Sequence, residues 1–290
     1  MLKKFFLSAL VILAILLLIA LYRTVTHSAP VAEIISGKDI SIDEIKASQN
    51  LAASIRFKTI SYQDEEKFPY EEFNNFIKWA STTYPEFHKV MEIEQLEHSL
   101  LFKWQGSDSM LAPILFEGHH DVVPIIPGTE NLWQEDPFAG VISNNRIWGR
   151  GALDDKSGVI GLMEAATYLI KNNFKPKRTI YFSFGHDEEV GGSGAALITE
   201  KLRQEGVQLS WSLGEGSFVN KGFFPGIDKF IAPINVAEKG SANIMIIANA
   251  KGGHSSTPPT RTAVTILAEA LVKLEKEPLP GSLEGLSAAM

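Results

Sequence analysis

The 290-residue chain contains no cysteine. That excludes disulfide scaffolds, thiolate zinc sites and cysteine nucleophiles together. It also has no excess of basic charge. The 27 Lys and Arg are outnumbered by 34 Asp and Glu, a net charge of −7. A nucleic-acid-binding face usually needs the opposite balance, so no nucleic-acid partner is expected. No internal repeat or low-complexity tract is present. Hydrophobic residues make up 45% and charged residues 21%, with 23 Gly and 14 Pro. These are globular values, which rule against a disordered chain, a collagen or a coiled coil. The length is a prior for about two domains.

Only one long apolar run exists, Phe5 to Tyr22, with Ser8 its one clearly polar side chain. Eighteen residues of helix span about 27 Å, close to a bilayer's hydrocarbon core. Lys3 and Lys4 precede the run and Arg23 follows it. That asymmetry favours N-inside, C-outside insertion. A cleaved signal peptide is the competing reading, with Ser28-Ala29 near a cleavage point. The run exceeds the roughly 7–15 residues of a signal core, which favours a retained signal-anchor. Both readings put the rest of the chain on the extracytoplasmic side: periplasmic, extracellular or luminal. The expectation is a single-pass membrane protein.

Beyond a mixed linker, Ser41-Ile42-Asp43-Glu44 has capping-box spacing and opens a helix to about Arg56. A second helix is expected around Tyr70–Thr82. Strands follow near Val90–Ile93, Ser99–Trp104 and Ala112–Phe116. Gly140–Trp148 reads as a hairpin turning at Asn144-Asn145. Ser157–Lys171 has helical apolar spacing, Thr179–Phe184 reads as a buried strand, Gly194–Gln204 as a helix and Gln208–Leu213 as a strand. This alternation predicts an α/β domain with a largely parallel sheet. From about residue 238 the character changes to a long apolar strand, Ala242–Ala250, and a helix over Ala263–Leu274.

Three polar clusters sit where ligands bind in open α/β sheets, beyond strand ends. They are His119-His120-Asp121, Asp154-Asp155-Lys156 and Asp187-Glu188-Glu189. Each alone is weak: an Asp pair is more often a helix cap and a Glu pair more often surface. Their recurrence at three strand ends points to a metal site. Imidazole and carboxylates without thiols suit zinc, or cobalt and manganese. One carboxylate can bridge two cations while a neighbouring glutamate that does not ligate takes a proton from water.

These residues resemble the M20 metallopeptidases, a family of di-zinc amidohydrolases. The matching segments are Ile114 to Pro124, Trp133 to Gly140, Gly149 to Lys156, Gly185 to Gly192 and Gly252 to Ser256. The Gly-His-Asp-Glu-Glu form and the membrane anchor are most similar to the carboxypeptidase S branch, which includes enzymes that make and cleave N-fatty-acyl amino acids. The resemblance implies a zinc-exopeptidase-like sheet with helices on both faces over 23–237, after an anchor at 1–22. It implies an incomplete α+β lid over 238–290 through which the protein forms a homodimer. His119 would ligate one metal and Asp121 would orient its imidazole. Asp154 would bridge two Zn2+ ions, its bond to Asp155 being cis. Glu188 would be the general acid/base, Glu189 a ligand of the second metal, and His254 a substrate-binding histidine. His120 and His186 are left as neighbours of these residues.

One departure from the family pattern falls at Ser212–Gly216, where Gly214 stands at a ligating aspartate's position. Either Glu215 takes that role or the site is short of a ligand. Another is that the last histidine is His254, whereas the family's last ligand is a histidine beyond the lid. The expectation is a fragment of a metal-dependent hydrolase acting on peptides or N-acyl amino acids, inactive by itself. The alternative is a membrane-anchored pseudoenzyme or truncated gene product.

Overall fold

A computed structural model describes residues 2–26, 40–223, 225–237, 240, 242–282 and 284–285. Ser28-Ala29 and the proposed boundary at 238 lie outside the described residues. The chain divides into two units, Met1–Gln49 and Asn50–Met290. In the first, helix α1 (Leu2–Thr26) contains Lys4–Thr26, long and apolar enough to cross a membrane. Helix α2 (Glu44–Ile55) starts later than the capping-box spacing suggests. The Asp43 carboxylate, not Ser41, accepts its exposed amide, from Lys46 at 3.0 Å.

The second unit is built on a five-stranded sheet. Its strands are β1 (Glu92–Leu96), β2 (Ser99–Trp104), β3 (Ile114–His119), β6 (Ile180–Gly185) and β7 (Trp211–Leu213). A separate hairpin, β4 (Val141–Ser143) and β5 (Arg146–Trp148), turns at Asn144 and Asn145, both at positive φ as a two-residue turn requires. The sheet order is β1-β2-β6-β3-β7. β6 pairs antiparallel with β2 and parallel with β3, so the sheet is mixed and not largely parallel. The cause lies in the connections. The two-residue link Glu97-His98 can only join β1 and β2 antiparallel, whereas β3 reaches β6 through a helix.

Helices cover both faces. On one lie α3 (Tyr70–Thr83), α4 (Pro85–Val90) and α5 (Lys156–Lys171). Phe76, Phe87 and Met163 from these helices meet Phe102, Phe182 and Phe184 in the larger core. On the other lies α6 (Ser193–Gln204), where Ile198 and Leu202 cover Leu101, Leu115 and Tyr181. α4 displaces the start of the strand expected at Val90, because Pro85 sits where a helix's first turn accepts it. The strand expected at Ala242–Ala250 is absent. Among the described residues no strand offers it backbone partners, and Ile244, Met245 and Ile247 are exposed. Helix α7 (Ala263–Lys276) forms, capped by Thr262 and Thr265, with no buried residue.

Phe102 is fully buried in the middle of this packing, its ring 4.8 Å from that of Phe87 and 5.6 Å from that of Phe184. Phe102→Ala is expected to destabilise the second unit by about 3–5 kcal/mol. Urea unfolding measures this, and a loss below about 1 kcal/mol would mean the core is not as described.

Candidate active site

His119 is the last residue of β3, 2% exposed, beside Gly185 at the end of β6. Its Nδ1 lies 3.2 Å from both the backbone oxygen and the Oδ1 of Asp121. That bond turns Nε2 outward. Nε2 lies 3.0 Å from Asp154 Oδ1, 3.4 Å from Glu215 Oε2 and 3.9 Å from Glu188 Oε2. Residues 69 positions apart, His119 and Glu188, thus share one cleft mouth.

Asp121 is fully buried and does more than orient the ring. Its Oδ2 accepts from Ser61 Oγ at 2.7 Å and from the Glu189 amide at 3.2 Å, and its Oδ1 from the Glu188 amide at 3.1 Å. Burial alone would raise its pKa, but the hydrogen bonds from His119 and Ser61, with the His119 charge, hold it below the usual carboxylate range.

Asp154 reaches the cleft from the loop before α5. The Asp154–Asp155 peptide is cis. Asp155 faces inward, accepting the His119 amide at 3.3 Å and capping α5 at Gly158 at 3.1 Å. This approach requires Gly118, because a Cβ there would meet Asp155 Oδ2 at 2.9 Å. Lys156 is fully buried, its Nζ donating to the carbonyls of Ser54 (2.9 Å) and Phe57 (2.7 Å). Burial pushes its pKa down to about 7.

The histidines left unassigned prove structural. His120 is buried and stacked on Phe76 at 4.9 Å, its pKa pushed by burial down to about 3. His186 Nδ1 lies 2.7 Å from Ser99 Oγ. His254 stands in an exposed turn with Nδ1 2.8 Å from Ser256 Oγ. No described hydrogen bond or ion pair joins it to the cleft. Ser61 was not legible as a site residue, since a lone serine carries no motif.

His119, Asp154 and Glu215 each offer one donor atom, all within 4.8 Å of one another, a group that could hold a metal ion. The donors are an imidazole and two carboxylates, a set that fits zinc, cobalt or manganese. Glu215, next to Gly214, is the acidic side chain of the Ser212–Gly216 segment whose Oε2 lies 3.4 Å from His119 Nε2. Glu189 is outside this triad, although its pKa is raised by burial and by the charge of Asp154. Next to the triad opens a cleft of about 590 Å³, lined by Glu117, His119, Ser183, Glu188, Gly214 and Glu215 among others.

Residues 115–287 match peptidase family M20/M25/M40, which is more than half of the chain. The protein belongs to this family. Probable carboxypeptidase S-like 2 of Dictyostelium discoideum is 38% identical over 263 residues, covering 87% of this chain and 50% of that protein. The mouse (Mus musculus) N-fatty-acyl-amino acid synthase/hydrolase PM20D1 is 38% identical over 248 residues, 84% of this chain and 48% of that protein. Carboxypeptidase S of Saccharomyces cerevisiae is 34% identical over 257 residues, 85% and 43% respectively. The M20 chain therefore spans about half the length of the curated relatives it matches.

The M20 cleft has a pH signature. Burial opposes a charge on His119, but Asp121, through its hydrogen bond and its charge, and then Glu215 and Asp155 by charge outweigh it and push its pKa up to about 10. At neutral pH the imidazole is protonated, and a cation at Nε2 must displace that proton. Zinc affinity is expected to rise by up to about tenfold per pH unit from about pH 6 to about pH 9. Calorimetric titration checks this, and an affinity flat across that range would contradict it.

Proposed function

We propose that the protein is a metal-dependent hydrolase of amide or peptide bonds beside a free amino-acid carboxylate, acting on peptides or N-acyl amino acids. One observation carries the proposal: His119 Nε2 faces Asp154, Glu215 and Glu188 in a single cleft. The relatives, carboxypeptidase S, a carboxypeptidase S-like protein and an N-fatty-acyl-amino acid synthase/hydrolase, support the same kind of activity. His119, Asp154 and Glu215 would hold a divalent cation and Glu189 would take part, with Asp154, in holding a second; the site would take two Zn2+, or Co2+ or Mn2+ in their place. Such cations polarise the scissile carbonyl and make water a stronger acid.

The chain's own residues supply the rest. Asp121 keeps the His119 ring turned towards the cleft and pins the amides of Glu188 and Glu189. The Glu188 carboxylate, half exposed at the cleft mouth, takes a proton from the attacking water and returns it to the leaving nitrogen. His254 meets the substrate carbonyl from the lid. We assign 23–237 to the catalytic domain and 238–290 to the lid and homodimer surface. Helix α1 anchors the protein, with the catalytic domain on the extracytoplasmic side.

Glu188→Gln keeps the shape and removes the base. In any complete version of the protein, zinc binding is expected to persist while turnover falls by about 10²–10⁴-fold. Steady-state kinetics with N-acyl amino acids, beside metal analysis of the same sample, checks this. Near-full activity would refute the role given to Glu188.

A further inference from the structure

Glu188 and Glu189 stand in one short helical turn, Glu188–Val190, between β6 and α6. A turn that short bonds few of its own backbone groups, so its first amides and last carbonyls need partners from elsewhere. Both ends find them through one stretch of chain. At the start, the Glu188 and Glu189 amides donate to Asp121 at 3.1 and 3.2 Å, and Ser61 Oγ donates to the same carboxylate at 2.7 Å. At the end, Gln63 Nε2 donates to the Val190 carbonyl at 2.9 Å, across 127 positions of sequence. That stretch is itself tied down. Ile60 bridges Val122 in parallel, the Ser61 amide donates to the Val122 carbonyl at 3.2 Å, and the Val122 amide donates to the Thr59 carbonyl at 2.9 Å. Thr59 Oγ1 donates to the His120 carbonyl, and Lys156 Nζ donates to the Phe57 carbonyl at 2.7 Å. Residues 57–63 therefore fasten all three polar clusters: 119–121 directly, 154–156 through Lys156, and 187–189 through Asp121 and Val190.

We propose that Ser61 and Gln63 are positioning residues for Glu188. From a strap fixed to the other two clusters, they clamp the turn at both ends and set where the Glu188 carboxylate stands relative to the His119, Asp154 and Glu215 donors. Strand ends alone fix only where each cluster leaves the sheet. A proton acceptor must also lie within hydrogen-bond reach of its water, so the turn that carries it has to be held from outside. The two clamps differ in strength. Ser61 is buried and its bond goes to a carboxylate, whereas Gln63 is exposed and its bond goes to a neutral carbonyl. Gln63 is outside the donor triad and acts at the far end of the turn, so it can be altered with the triad left in place. This inference rests on the hydrolase reading of the cleft, which gives Glu188 its role.

The decisive substitution is Gln63→Met, which keeps the length of the side chain and removes the donor. Hydrogen exchange by mass spectrometry on the zinc-loaded full chain reads the turn, and kcat and KM in any complete version of the protein read the chemistry. Exchange across residues 187–192 is expected to rise about threefold, as the loss of one exposed hydrogen bond allows, with β3 and β6 unchanged. Ser61→Ala should raise it about tenfold, because the lost bond is buried and charge-assisted. In both variants kcat should fall by about threefold or more while KM stays within about twofold, and Gln63→Met should keep its zinc. Gln63→Lys, which retains a donor, should restore both exchange and kcat. Unchanged exchange in both Gln63→Met and Ser61→Ala overturns the proposal. So does exchange that rises equally in β3 and β6, or an opened turn with kcat intact. An opened turn in a protein whose wild type hydrolyses no amide supports the clamp and overturns the hydrolase reading instead.

Discussion

The site depends on one buried carboxylate. Asp121 ties together three parts of the chain: the end of β3 through His119, the Ile60-Ser61 segment through the serine hydroxyl, and the Glu188-Glu189 turn through two backbone amides. Its contacts are charge-assisted and dry, which makes them strong when all are present and costly when one is lost. A buried carboxylate without them would be driven towards its neutral form. With them it remains charged and holds the His119 ring with Nε2 towards Asp154 and Glu215.

The chemistry sits on this support because strand ends release side chains into a gap between covering helices. β3 and β6 run parallel, so His119 and the turn carrying Glu188 leave the sheet on the same side. α5 brings Asp154 from the other direction, and its start is fixed from below. Lys156 donates to two carbonyls and lies 5.5 Å over the Phe76 ring, whose other contacts include the stacked His120. A cluster of exposed carboxylates would repel itself in the open. Here the His119 charge relieves part of that repulsion, and a divalent cation would relieve more.

Much of this was legible in the sequence, and the parts that were not have physical causes. Helical spacing located α3, α5 and α6 within a residue or two, and Ser99–Trp104 was located to the residue. Three clusters at strand ends located the cleft. Strand direction was not legible, because the same apolar run serves a parallel or an antiparallel neighbour, and β2 turned out antiparallel to β6. Ala242–Ala250 reads as a strand by composition alone, yet a strand is defined by partners that the described residues do not offer. Ser61 and Lys156 act through burial and long-range bonds that no local spacing encodes.

The central claim is that His119, Asp154 and Glu215 close on one cation held in place by Asp121. The most direct measurement is an anomalous difference map from crystals of the zinc-loaded chain. The account predicts a peak about 2.0–2.2 Å from His119 Nε2 and from a carboxylate oxygen of Asp154 and of Glu215. Zinc bound elsewhere, with these three side chains turned away from it, would contradict the account.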